Sequence, residues 1–327
     1  MAFSGTVSQT TFDTRKVIER AYARCRIAAQ QIVGEMVGDA KEELYLMFSL
    51  WAAQQIPLWT VERVLLPLYE GVNEVPVGPG TLDVQRASLR TLTAATGTNT
   101  DSATARSTSF SNETIVSTVG IKWSATPPAS ITFARSDDGS TWTDILTHTV
   151  AEASGEWTWV DMPSAVETSY FRVSAATAMT YSEMFYGYDP RETVMGSWNR
   201  ETWFNTPNKL ATAASPLNYW FERSTSPTLH VWPTPTATSE EYQIVAQRQR
   251  YIMDVGSLTQ DVEVPQRWLE PVVAGLAARL ALVTPEVDPA LIPLLDGKAA
   301  EALVLVQNEE YEAGPITLVP DISAYTR

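Results

Sequence analysis

The side chains that most often carry catalysis or bind zinc are scarce in this sequence. It contains two histidines, His148 and His230, and one cysteine, Cys25. A zinc site built from Cys and His needs more such ligands, and a single cysteine cannot form an internal disulfide. No Gly-x-Ser-x-Gly nucleophile motif occurs. His230 alternates with Leu229 and Val231 as in a strand, so we interpret it as a packed or surface strand residue and expect no enzyme.

Adjacent carboxylates are the other candidates for chemistry. Glu42–Glu43 and Glu309–Glu310 lie in helix-like stretches, where sequence neighbours point in different directions, so we interpret them as solvated faces. Asp137 and Asp138 precede Gly139 in a hairpin-turn sequence, where Asp is favoured for backbone geometry. A calcium loop needs several more oxygens at set spacings. Carboxylate-only calcium or magnesium sites stay open, but we predict no catalytic, cofactor-binding or metal site.

The charge balance argues against binding of nucleic acid. The 327 residues include 38 Asp and Glu against 23 Lys and Arg, a formal net charge of -15. Such a chain has no broad basic surface for phosphate backbones. The acidic excess would let DNA slide past without sticking, or it serves solubility alone. The sequence shows no signal-peptide core and no run of 18 apolar residues, so we expect a soluble, cytoplasmically made protein without membrane contact.

The eleven tryptophans raise the question of sugar binding, because aromatic ring faces stack on sugars. Most of them alternate with other apolar residues, which indicates a core or an interface. Four in the β-rich middle of the chain are kept as candidate glycan contacts: Trp123, Trp142, Trp157 and Trp159.

Hydrophobic spacing divides the chain into helical ends and a β-rich middle. Asp13 is placed to cap a first helix, and Asp39 with Glu42 forms a capping-box pattern before a second. From residue 115 to 188 short alternating stretches and turns predict strands of a β-sandwich. Small residues after Pro271 and an apolar face from 288 to 312 predict two C-terminal helices.

Two stretches carry a resemblance to a known family. Residues 44–84 contain a helix ending in Trp51, a Leu-Trp-Thr-Val-Glu element and a strand pair joined by a Pro-Gly turn. Residues 215–235 and 264–281 contain Tyr-Trp, Trp-Pro-x-Pro and Val-Pro-x-x-Trp elements before a Gly-Leu-Ala helix. In order and spacing these resemble the head-to-tail adaptor proteins of short-tailed bacteriophages, also called head-completion or tail tubular proteins.

The middle of the chain resembles a second family. The Ser-x-Asp-Gly-x-x-Trp turn at 136–142 and the Tyr-Phe-Arg-Val strand at 170–173 are similar to discoidin-like domains. We therefore predict an α+β protein: a helical-bundle adaptor domain with a small β-strand region, residues 1–93 and 191–327, and an inserted all-β sandwich of the jelly-roll, discoidin-like type, residues 94–190.

The adaptor resemblance implies a structural virion protein rather than an enzyme. It implies a ring of twelve copies in the neck between capsid and tail, contacting the portal and the tail nozzle or tail tube proteins. Tail fibres are a further candidate partner, and DNA would pass through the lumen without specific binding. The alternative is a tail-associated carbohydrate-binding protein, and a tail-borne glycan-cleaving enzyme is third.

The C-terminal residues suggest how such a ring would be held. After Gly314 and Pro315 the chain is apolar and nearly uncharged, whereas a free terminus is usually polar. We predict a portal-docking or neighbour-docking arm whose contacts are Ile316, Leu318, Val319, Ile322 and Tyr325. The alternative is that this segment folds back over the helices of its own chain.

Overall fold

The computed structural model describes residues 11–54, 60–236, 242–253 and 256–309. The chain forms two compact units, one from Met1–Thr60 with Tyr251–Arg327 and one from Val61–Arg250. They are called the helical unit and the β unit below. The predicted arm, residues 316–325, lies outside the described residues.

The described helices are α1 (Thr14–Arg24), α2 (Gly34–Ala53), α3 (Arg200–Asn205), α4 (Leu269–Val283) and α5 (Ile292–Glu309). The described strands are β1 (Val61–Pro67), β2 (Glu74–Pro76), β3 (Thr81–Ala94), β4 (Thr98–Asp101), β5 (Ala105–Trp123), β6 (Ser130–Ser136), β7 (Thr143–Thr149), β8 (Trp157–Ser174), β9 (Tyr181–Val194), β10 (Gly196–Ser197), β11 (Thr212–Ala213), β12 (Asn218–Glu222), β13 (Thr228–Trp232), β14 (Thr234–Pro235) and β15 (Tyr242–Arg250).

The helical unit is built around α4. Two thirds of the residues of this helix are buried, and α1, α2 and α5 each pack against it. At its N-terminal end Trp268 is fully buried and lies 5.3 Å from the ring of Trp51 on α2. Asp13 caps α1 as predicted, accepting a hydrogen bond from the Lys16 amide at 2.7 Å. No helix among the described residues is long and apolar enough to cross a membrane.

The predicted start of the second helix is wrong. Helix α2 begins at Gly34, so Asp39 and Glu42 lie inside it instead of forming a capping box. Met36, Ala40 and Leu44 follow one another at helical spacing and all contact the core of the helical unit. Burial of this longer apolar face outweighs the local capping preference, because packing supplies most helix stability.

The β unit contains one large antiparallel sheet that folds over on itself. Its strand order is β1-β15-β3-β9-β5-β8-β6-β7, with β4 beside β5. Strands β5 and β8 bend where their pairing register shifts, so the two halves of the sheet face each other. Rings from opposite halves then meet: Tyr186 of β9 lies 5.7 Å from Phe171 of β8 and 6.1 Å from Phe110 of β5. The predicted all-β sandwich is confirmed.

The two predicted β regions are not separate sheets, which corrects the predicted small β region of the parent domain. Strands β3 and β9 run across the predicted boundaries at 94 and 190 and pair with each other, Thr91 opposite Arg191. The two ends of the predicted insertion therefore lie side by side, as an insertion requires. The strands of 94–190 extend the same sheet that β1, β15 and β3 form.

A polar cluster ties the sheet together at this junction. The Asp161 carboxylate of β8 accepts hydrogen bonds from Arg63 of β1 at 2.6 Å, Arg90 of β3 at 2.7 Å and Thr118 of β5 at 2.7 Å. Beside it Trp157 and Trp159 stack 5.0 Å apart. Gly120 is required here, because a Cβ would lie 2.3 Å from the Trp159 ring.

Candidate functional site

A second, four-stranded sheet of the β unit has an aromatic outer face. Its order is β10-β12-β13-β2, and Tyr219 of β12 pairs with Val231 of β13. These two side chains belong to a buried apolar cluster. Because side chains alternate along a strand, the neighbouring pair Trp220 and His230 projects from the opposite face.

Four further aromatic rings gather on that face. Trp220 and His230 stack at 4.8 Å, and Trp203 of α3 lies 5.8 Å from Trp220. Helix α3 is held in place by Asn199, whose side chain accepts a hydrogen bond from the Thr202 amide at 2.7 Å. The remaining contacts extend the group outward: Phe204 on Trp220, Trp198 on Trp203, and Trp232 on Trp198.

An open cleft of about 800 Å³ lies beside these rings, and we call it the aromatic cleft. Its walls are residues 83–85 of β3, residues 197–200, residues 219–222 of β12 and Arg223, which follows β12. Trp198 is half-buried and offers part of its ring to the cleft, whereas Trp220 is buried and supports the other rings.

Charged groups of both signs complete the cleft. Arg223 pairs with Asp83 at 2.8 Å, and Glu222 contacts the Nε2 atom of His230 at 2.9 Å. Arg200 makes no ion pair within the described part of the chain, and its guanidinium lies 5.6 Å from the Phe204 ring centroid. The cleft thus combines apolar ring surface with hydrogen-bond donors and acceptors.

His230 is packed as predicted and is not placed for nucleophilic catalysis. It is buried in β13, and its two ring nitrogens lie 2.9 Å from Glu222 and 3.9 Å from Glu74. Among the described residues, no serine, threonine or cysteine side chain is recorded within hydrogen-bond distance of the imidazole. The histidine therefore links β13 to its two neighbouring strands.

Three of the four predicted glycan contacts are buried. Trp123, Trp157 and Trp159 lie in the interior of the β unit, and Trp123 donates its indole N–H to Thr158 at 2.8 Å. A buried indole has no free face for a sugar, so these three are corrected to core residues. Trp142 is half-buried, and the Arg172 guanidinium lies 4.3 Å from its ring centroid. Only this one keeps ring surface for a ligand.

The Asp137–Asp138 turn joins β6 to β7, as its sequence predicts. The Asp138 carboxylate accepts hydrogen bonds from the Thr141 and Ser140 amides and from the Ser136 hydroxyl. These bonds hold the pKa of Asp138 well below its usual range. The carboxylate is engaged in forming the turn. No group of three or more metal-binding side chains occurs within the described ranges.

Comparison with known proteins gives no family assignment. No protein-family model matches the sequence, and no curated protein matches it. Among solved structures, a family 32 carbohydrate-binding module from a family 31 glycoside hydrolase of Clostridium perfringens is 12% identical, with a TM-score of 0.24, over 27% of this chain and 72% of that one.

Two further similar structures come from the same organism. The family 32 module of NanJ, solved with galactose, is 10% identical, with a TM-score of 0.23, over 42% of this chain and 97% of that one. A module in complex with GalNAc-β-1,3-galactose is 9% identical, with a TM-score of 0.23, over 41% and 99%. TM-scores of this size carry no argument, so the architecture of the β unit rests on its own strand pairing.

Proposed function

We propose that the β unit is a non-catalytic carbohydrate-binding module and that the aromatic cleft is its binding site. The observation that carries the proposal is the combination in one open cleft of tryptophan surface with unlike charges. A sugar ring has an apolar face that packs on an indole and a rim of hydroxyls that bond to carboxylates and guanidinium groups. Asp83, Glu222, Arg200 and Arg223 supply those groups here.

The same features disfavour other ligand classes. Nucleic acid would require a basic surface, but the chain carries a net charge of -15, and one of the two arginines of the cleft, Arg223, is paired with a carboxylate. Cleavage of a glycosidic bond would need two free carboxyl groups flanking the bond. Asp83 and Glu222 are instead held by Arg223 and His230.

Replacing Trp198 with alanine is expected to weaken glycan binding about tenfold. Stacking on an indole contributes up to about 1.5 kcal/mol beyond the buried area, which corresponds to about a tenfold change in Kd. Galactose and GalNAc-β-1,3-galactose are suitable first probes, followed by a glycan array, with Kd measured by calorimetry on the full chain.

Trp142→Ala is the matched control, because Trp142 is also half-buried but lies in the β6–β7 hairpin region. This variant is expected to bind glycans as the unmodified chain does. Loss of binding in Trp142→Ala with full binding in Trp198→Ala would place the site in the sandwich, near Trp142. Absence of binding to every glycan tested would end the proposal.

The head-to-tail adaptor is a second candidate function, and one observation favours it. The helical unit exposes large apolar side chains on three helices, among them Leu46, Leu50, Leu282, Leu294 and Leu305. Such surfaces on a folded unit indicate contacts with other chains. In this proposal twelve copies form a ring in the virion neck, bound to the portal and the tail nozzle or tail tube, with DNA passing through.

Electron-microscopic class averages of the purified protein test the adaptor proposal. The expected result is a closed ring with a central channel wide enough for duplex DNA, because heterologous contacts between copies of one chain close by rotation. Particles that stay monomeric at all concentrations, or that form fibres, would contradict it. Glycan binding by the aromatic cleft is measured separately and does not depend on this outcome.

A further inference from the structure

An open groove runs along the surface of the helical unit. Helices α2 and α5 both pack on α4 but share few contacts with each other, so a space of about 540 Å³ stays open above α4. We call this space the α4 groove. It is lined by Met47 and Trp51 of α2, by Pro271, Gly275, Ala278 and Arg279 of α4, and by residues 296–303 of α5.

The floor of the α4 groove is a stripe of residues on one face of α4. Pro271, Gly275 and Ala278 recur at helical spacing, and none of them has a large side chain. A Cβ at Gly275 would lie 2.7 Å from the Met47 sulfur, so the glycine sets the close approach of α2. On the opposite wall Gly297 faces open space, because a Cβ added there would have no neighbouring heavy atom within 4 Å.

Large apolar side chains stand at the rim. Leu50 of α2 is 48% exposed, Leu282 of α4 is 69% exposed and Val304 of α5 is 54% exposed. On each helix these residues lie within one turn of the groove lining. A groove with an apolar floor and an apolar rim is an unfinished part of a core, because contiguous apolar surface of this kind is rarely left in water.

We propose that the segment Ile316–Tyr325 of a second copy of this chain fills the α4 groove. The segment supplies Ile316, Leu318, Val319, Ile322 and Tyr325, with Asp321 as its single charged side chain. Small residues in the floor and wall admit a backbone at close range, and the rim residues cover its side chains. The inference goes beyond glycan binding and is independent of it.

The position of the segment in the chain favours a second copy. Helix α5 is itself a wall of the groove, and it continues from Leu303 to Glu309, about 9 Å further along its axis. At Glu309 the chain is therefore past the residues that line the groove. Residues 310–327 can span up to about 60 Å when extended, which is enough to reach a neighbour. Tail-in-groove contacts of this kind are heterologous and repeat from copy to copy.

The experiment compares assembly and peptide binding. Sedimentation velocity over a concentration series is run on the full chain, on a chain truncated after Gly314, and on the full-chain variant Ala300→Trp, which fills the groove. A labelled peptide of residues 315–327 is titrated into the truncated chain by fluorescence anisotropy. Ala23→Trp is the matched control, because Ala23 is an exposed alanine on α1, outside the groove lining.

We expect the full chain and Ala23→Trp to assemble with rising concentration, whereas the truncated chain and Ala300→Trp stay monomeric. The peptide should bind the truncated chain, and Ala300→Trp in that background should weaken binding at least tenfold.

Failure of the peptide to bind, or assembly of the truncated chain, would overturn the proposal. A monomeric full chain whose truncated form binds the peptide would also overturn it, since the segment would then occupy its own groove. Should the truncated chain not fold, the two full-chain variants still decide the matter.

Discussion

Replacing Asp161 with alanine is expected to lower the free energy of unfolding of the β unit by about 3–5 kcal/mol. The side chain of Arg90 is only 3% exposed and its charge is neutralised by the Asp161 carboxylate at 2.7 Å. Removing the carboxylate leaves a buried cation without a counter-ion, which costs far more than the pair itself contributes. Thr118, which bonds to both side chains, cannot neutralise the charge.

Glu192→Ala is the matched control for Asp161→Ala. Glu192 bonds to Arg63 at 2.8 Å, but both side chains are about 40% exposed. An exposed pair contributes about 0–1 kcal/mol, so this variant should unfold near the midpoint of the unmodified chain. Urea unfolding followed by tryptophan fluorescence measures both variants. A loss below about 1 kcal/mol in Asp161→Ala would show that Arg90 is solvated or finds another partner.

The pH dependence provides an independent check on Asp161. Burial alone would raise its pKa, but hydrogen bonds from Arg63 and Thr118 and the charge of Arg90 outweigh burial, so the pKa lies below its ordinary value. A folded-state pKa below the unfolded value of about 3.9 gives stability that is present above pH 4 and is lost as pH falls through the folded pKa. The difference in stability between the unmodified chain and Asp161→Ala should therefore shrink as the pH falls below about 4.

Local signals in the sequence predicted most elements correctly. Alternation at Val119, Ile121 and Trp123 placed a strand whose apolar face is buried, and the Asp-Asp-Gly turn placed the β6–β7 hairpin. Both features depend on residues close together in the chain. Helix α2 was misplaced at its start, because the capping signal at Asp39 is local and the packing of Met36 against the core is not.

The aromatic cleft could not be predicted in the same way. Trp198, Trp203, Trp220 and His230 are brought together by a short helix and two strands whose register no local pattern fixes. Between residues 198 and 221 the sequence has many aromatic residues among polar ones. This density predicts an aromatic surface, but it does not tell which residues form that surface. Trp123, Trp157 and Trp159 of the sandwich alternate more regularly with other apolar residues, and these three are buried.

The merging of the two β regions has a similar cause. The edge strand of a sheet has unpaired backbone N–H and C=O groups, which are costly to bury. It therefore pairs readily with an adjacent strand. Strand β9 returns from the sandwich next to β3 and pairs with it, and β5 then pairs with β9. The change of composition near residue 92 falls inside strand β3, because composition carries no information on whether a strand continues across that point.

Replacing residues 96–188 with a short Gly/Ser linker is expected to leave β1, β15 and β3 folded. Thr91 and Arg191 are already paired, so a short linker closes the gap without strain. Arg90 loses Asp161 in this variant, but it also loses the strands that bury it, and its charge returns to water. Amide hydrogen exchange should therefore show continued protection of β3 and β15.

The cost of this deletion is exposed apolar surface, which suggests a second form of the variant. Trp157, Trp159 and Phe185 form a buried cluster with Leu92, against which Leu65 packs, and the deletion uncovers both leucines. Leu65→Thr with Leu92→Thr keeps strand-forming side chains and removes that surface, so the combined variant should stay monomeric where the simple deletion self-associates.

Deletion of residues 126–152 is the matched control. It cuts inside the sandwich and removes Ile131 and Phe133 from its core, so we expect it to aggregate. Residues 94–190 would be an integral part of the parent fold, and not an insertion, if the 96–188 deletion were insoluble in both forms.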